Sequence, residues 1–157
     1  MQNLISTAGG TNFSAWTPTI LGAATAPVGT YGATAGPDSF GGFTLSSTGT
    51  AGGVEVVSAV LGVEQENLLG LSLIAKASSA TPTFVPFAVS FTDASGNAIL
   101  TVTPIASAAA PTAFTAYSAV VGVPHGAVKA TFAYAALSWA SVGGYSVIMA
   151  TPLVNGF

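Results

Sequence analysis

Apolar and polar positions alternate along most of this chain. In "NLLGLSLIAKA" (67–77) a period of two puts Leu69, Leu71, Leu73 and Ala75 on one face. Gly70, Ser72, Ile74 and Lys76 fall on the other. That is the pattern of a half-buried strand. Strand-forming runs recur at "SFGGFTLSS" (39–47), "GVEVVSAVLGV" (53–63), "TFVPFAVSF" (83–91), "AILTVTPI" (98–105), "TAFTAYSAVVGV" (112–123), "GAVKATFAYAAL" (126–137) and "GGYSVIMATPLV" (143–154). "TGTAGG" (48–53) between the first two reads as a loop, and so does "LSWASVGG" (137–144). No apolar stripe of helical spacing with charges opposite is sustained anywhere, and β-branched and aromatic residues abound. The pattern predicts an all-β antiparallel sandwich or barrel with little or no helix.

Residues 1–37 differ from the rest. They are rich in Gly, Ala, Thr and Pro, with one or two edge strands expected around Phe13–Ile20 and a long loop after them. The segment reads as an N-terminal arm ahead of a sandwich over 38–157, in a single domain overall. An arm of this kind also suits pairing with the sheet edge of a neighbouring subunit.

"VSFTDASGNAILTV" (89–102) is two alternating runs joined by turn formers. Asp bonds the backbone two residues on, and Gly96 and Asn97 tolerate positive φ. Asp93 therefore reads as a hairpin residue and not as a catalytic acid.

Composition sharpens this picture. Of 157 residues only 4% are charged, against roughly 25% in an ordinary soluble domain. There is no Arg. The cations are Lys76 and Lys129, the one histidine is His125, and the acids are Asp38, Glu55, Glu64, Glu66 and Asp93. Counterion release from a phosphate backbone needs several cations, which excludes nucleic acid as a partner. Anionic membranes are excluded on the same ground, and Gly, Pro, Ser and Thr break every apolar run before it reaches membrane-helix length. No cysteine is present, so disulfides, thiolate catalysis and cysteine-ligated zinc are absent. "MQNLISTAGG" has neither a basic start nor a long apolar stretch and is not a classical signal peptide.

Catalytic sets are missing. His125 lies in the turn "GVPHGAV" with no nucleophile elbow elsewhere. Glu64 and Glu66 in "VEQEN" read as a solvated loop rather than a carboxylate pair across a sugar ring. No calcium-loop or phosphate-loop motif occurs, so no metal and no cofactor is expected. Aromatic rings remain as the candidates for stacking on a sugar: Trp16, Trp139 and Tyr145, with Trp139 in its loop-like stretch foremost. A net charge of −3 leaves the surface short of the repulsion that keeps domains apart. Charge is also depleted at the centres of protein interfaces.

The order of motifs resembles jelly-roll modules of the galactose-binding and carbohydrate-binding type. The resemblance rests on "NLISTAGGTNFSAWTPT", "LLGLSLIAKASS", "VSFTDASGNAIL", "YSAVVGVPHGAVKATFAY" and "YSVIMATPLV". Among such modules the chain is most similar to the N-terminal domain of collagen-like spore-surface proteins of Firmicutes. The resemblance implies a jelly-roll sandwich of about eight to ten strands, an extracellular or spore-surface location and an oligomeric structural role. Relatives carry an acid after the opening Phe and an Asp pair in the last strand. Here Ser14 and Ser146-Val147-Ile148 stand there, so their calcium site is not implied.

The reading that follows is a non-enzymatic, self-assembling subunit of an extracellular or spore-surface filament or appendage, with itself as partner. The alternatives are a carbohydrate-binding module with a polysaccharide partner, and a bacteriophage fibre or capsid-decoration subunit.

Overall fold

In the computed structural model the described residues are 2–5, 16–24, 28–32, 35–39, 41–141 and 143–156. They form β1 (Gln2–Ile5), β2 (Trp16–Ala24), β3 (Val28–Gly32), β4 (Gly42–Ser58), β5 (Leu61–Gly62), β6 (Leu68–Ala77), β7 (Thr83–Thr92), β8 (Ala98–Val102), β9 (Ala108–Ala109), β10 (Thr115–Gly122), β11 (Lys129–Trp139) and β12 (Gly143–Gly156). A 3-10 turn at Pro37–Ser39 is the only helical element among the described residues. Of these strands β5 and β9 are two-residue bridges. Among the described residues no helix is long and apolar enough to cross a membrane.

Every pairing among the described residues is antiparallel. The strands make the two layers of a jelly-roll sandwich. One layer runs β10-β6-β12-β4-β3, with β1 beside the end of β12; the other runs β2-β4-β11-β7-β8. β4 belongs to both. Its first half, Phe43 to Gly49, pairs with β12, and its second, Gly52 to Val57, with β11. The expected loop at 48–53 is therefore a corner inside one continuous strand. Gly49 (φ 151) and Gly52 (φ 143) take backbone angles that side-chain-bearing residues avoid. A Cβ on Gly53 would run into the carbonyl oxygen of Leu137 on β11. Glycine-rich sequence here marks close backbone approach, not an excursion from the sheet.

Alternation works as read in β6, where Leu69, Leu71, Leu73, Ala75 and Ala77 are buried. Facing them across the sandwich are Phe84, Phe87, Val89 and Phe91 of β7 and Phe132, Tyr134 and Leu137 of β11. Tyr134 ties the layers together by a second means: its buried hydroxyl donates to the Leu153 carbonyl of β12 at 2.7 Å. Burial pushes the Tyr134 phenol well above its ordinary range. Ser58, also buried, closes a gap where β11 passes from β4 to β5: its hydroxyl accepts from the Phe132 N–H at 3.0 Å and donates to the Ala59 carbonyl at 2.8 Å.

The N-terminal segment is woven into this sandwich. β1 pairs with β12, and β2 and β3 both pair with β4. β3 thus occupies part of the stretch expected as a long loop. Residues 6–15, which include Phe13, lie outside the described residues.

Replacing Gly53 with alanine should cost about 1–3 kcal/mol in urea unfolding, because the added methyl overpacks a strand-to-strand contact. Gly62→Ala is the control. Nothing lies within 4 Å of a Cβ there, so its effect should stay within about 0.5 kcal/mol.

Candidate functional site

Both tryptophans are inside. Trp16, 3% exposed, opens β2 with its ring 4.7 Å from that of Tyr134. Trp139, 7% exposed, is the last residue of β11 and lies against Tyr145 at 5.2 Å. The expectation of a loop-borne Trp139 platform is therefore corrected: β11 extends two residues into the expected loop, to Trp139, and turns the indole inward. Among the described residues neither indole N–H has a hydrogen-bond partner. An unmet buried N–H costs about 1–3 kcal/mol, so each ring is held by packing alone. Tyr145 is half-buried by the Trp139 contact and shows only part of its ring.

The turn residues behave as read. The Asp93 carboxylate accepts from the Ser95 N–H at 2.8 Å, the Asn97 N–H at 2.9 Å and the Asn97 side-chain amide at 2.9 Å. These bonds, led by those from Asn97, hold it below the usual carboxylate range. His125, Glu64 and Glu66 are exposed. Their loops are joined, since the Gly126 N–H donates to the Gln65 side chain at 3.0 Å and the Glu66 N–H to the Val123 carbonyl at 3.0 Å. Asn67 donates to the Glu64 carboxylate at 3.1 Å. Lys129 donates to the Ala94 carbonyl at 3.2 Å. One end of the sandwich thus gathers Glu64, Glu66, Asp93, His125 and Lys129. Lys76 lies toward the opposite end, with its ammonium 5.5 Å from the centre of the Phe114 ring. Among the described residues no three His, Asp or Glu side chains group as metal ligands.

Glu55 is the acid that sequence reasoning passed over. It points outward near the C-terminal end of β4, between half-buried Val57 and buried Gly53. Thr19 of β2 lies directly opposite. On the β11 side the register jumps, Val56 facing Tyr134 and Val54 facing Leu137, so a bulge at Ala135–Ala136 sits against Glu55. Ala135 has φ 54, a left-handed conformation costly for a residue with a Cβ. Bulges of this kind re-aim side chains and are common beside binding sites. Glu55 is half-buried, and burial raises its carboxyl above the usual range. Around it the outer face of this layer carries Thr17, Thr19, Thr131 and Ser138, and further out Ser90 and Thr101, whose hydroxyls meet at 3.2 Å. One signal pointed to it: a lone acid at an outward position of "GVEVVS", flanked by valines.

The result is a sheet face of hydroxyls and small apolar groups with one partly desolvated carboxylate among them. It suits accepting and donating hydrogen bonds to neutral hydroxyl-bearing molecules. Asp38, Glu64, Glu66 and Asp93 all lie in turns or loops, off this face.

No family model matches the chain, and no curated protein does either. Solved structures do. The chain is similar to the carbohydrate-binding and catalytic modules of xylanase 10B from Clostridium thermocellum, complexed with xylohexaose (19% identity, TM-score 0.72, 98% of this chain, 28% of that one). It is also similar to the enzymatically active domain of tailspike protein 4 from bacteriophage CBA120 (21% identity, TM-score 0.67, 99% of this chain, 21% of that one). The xylan-binding domain of xylanase 10C from Paenibacillus barcinonensis matches at 14% identity and TM-score 0.63, over 99% of this chain and 94% of that domain. The chain therefore spans about a quarter of the larger proteins and nearly all of an isolated module. At these identities the likeness shows the shared β-sandwich.

Glu55 binds a proton more readily folded than unfolded, so it favours the folded state only while protonated. That contribution fades as pH rises from its unfolded value of about 4.5 through its raised folded value. Glu55→Gln should therefore gain stability over wild type as pH rises from 4.5 to 7, read by urea midpoints. Asp93→Asn should behave oppositely. The lowered folded pKa of Asp93 makes its contribution present above the unfolded value of 3.8 and lost as pH falls through the lower folded one, so this variant loses most at neutral pH.

Proposed function

We propose that this chain is a non-catalytic β-sandwich module that binds neutral polysaccharide through the outer face centred on Glu55. The supporting observation is that face: a half-buried carboxylate opposite a strained bulge, with Thr19 across from it and Thr17 and Ser138 two positions along on the same side of the sheet. Carboxylates accept strongly from sugar hydroxyls, at about 1.5–3 kcal/mol for a bond to a charged group. The likeness to xylan-binding modules, one of them matched over almost its whole length, supports the same reading. With two cations in the chain, the face is suited to uncharged chains rather than uronic acid polymers. Such a module belongs outside the cell or on its surface, where polysaccharide is met.

Affinity electrophoresis in gels containing xylan or other neutral polysaccharides tests this directly. Retardation is expected, and Glu55→Ala should weaken it by about tenfold or more. Free migration through every neutral glycan, or unchanged retardation of Glu55→Ala, would remove the proposal.

A second reading is a self-assembling structural subunit of a filament or appendage on a spore or cell surface, or of a bacteriophage fibre. The low surface charge and the β10 edge, unpaired among the described residues, favour it. Light scattering on the purified protein would return one protomer mass at every concentration if this reading fails.

A further inference from the structure

We propose that the β10 edge is a two-fold interface, pairing antiparallel with the β10 of a second copy of this chain; this deepens the self-assembly reading and rests on it. β10 pairs with β6 through eight consecutive residues, Thr115–Ala75 to Gly122–Leu68, without a register shift. Among the described residues no strand pairs with its other side. Natural sheets protect such edges with charges, proline, bulges or brevity. The other described edges have these devices. β2 carries Pro18 and a register shift, β3 has five residues with two glycines, and β8 has five residues and a register shift. β10, "TAYSAVVG", has none. Val120, 61% exposed, projects from its outer face.

Charge decides in favour of a second copy and sets its direction. The Gly122 end of β10 leads into Val123, which is bonded to the loop carrying Glu64 and Glu66. The Thr115 end follows Phe114, over which Lys76 lies. Parallel pairing would set the two acidic loops side by side. Antiparallel pairing about a two-fold sets each Lys76 end against the acidic loop of the other copy, twice over. Both copies then use the same patch, as a two-fold contact requires. Residues facing each other across an antiparallel pair share a face of the sheet. A two-fold centred on Ser118 meets this condition: Ser118 faces itself, Ala116 faces Val120, and Tyr117 faces Ala119. That register covers the exposed valine and runs the β10-β6-β12-β4-β3 layer through both molecules.

The chain lacks cysteine, which makes the register directly testable. Opposed residues in an antiparallel pair lie about 4.5–5.5 Å apart at Cα, within disulfide reach. The expected wild-type mass in sedimentation is at least twice that of the protomer. Ser118→Lys, an exposed substitution that sets like charges across the axis, should lower that mass at least twofold. Ala98→Lys, the same charge on the β8 edge, should leave it unchanged. Ser118→Cys should give a covalent dimer on mild oxidation. Wild type at protomer mass would remove self-assembly and this contact together. An assembly that survives Ser118→Lys would remove this contact alone and leave self-assembly to another surface.

Discussion

The sandwich depends on β4 serving two layers at once. One strand, Gly42–Ser58, pairs with β12 in its first half and β11 in its second, and the turn between them is made by glycines pressed against neighbouring backbone. Two separate sheets would have to find each other through side chains alone. Here a continuous backbone links them as well. Tyr134 adds a second tie from β11 to the Leu153 carbonyl of β12. Between these two ties the apolar faces of β6, β7 and β11 meet, and that burial supplies most of the stability.

Where the period of two was clean, the fold was legible from sequence. β6, β7, β11 and β12 lie within a few residues of the expected runs, and the Asp93 hairpin has the side-chain bonds its turn chemistry implied. The misreadings share one cause: small residues have two structural meanings. In 48–53 glycine signalled a loop, but the glycines serve close approach within a strand. Around Trp139 the glycines at 143 and 144 lie inside β12, and the indole ends a buried strand. Local pattern does not distinguish a glycine that leaves the sheet from one that lets another strand in.

The site was less legible than the fold. A search for paired carboxylates or exposed rings passes over Glu55, which stands alone between valines. Its interest arises from the bulge opposite, and that bulge exists only through the pairing of β4 with β11. The aromatic residues that composition put forward are spent on the core, Trp16 against Tyr134 and Trp139 against Tyr145. What remains outside is hydroxyls, scattered apolar side chains such as Tyr31, Val60, Leu68 and Val120, and very few charges. Such a surface suits many weak, neutral contacts, whether with sugar hydroxyls or with a neighbouring protein.

The placement of the two lysines has a consequence for resistance to proteolysis. Trypsin-like proteases cut after Lys or Arg, and this chain offers them only Lys76 and Lys129. Both peptide bonds lie within strands, Lys76–Ala77 at the end of β6 and Lys129–Ala130 at the start of β11, each paired with neighbours. Digestion requires a segment to be drawn out into the enzyme's cleft, so cleavage must wait for the sandwich to open there. The same scarcity of charge that leaves the surface bland leaves this large class of digestive enzymes almost nothing to grip.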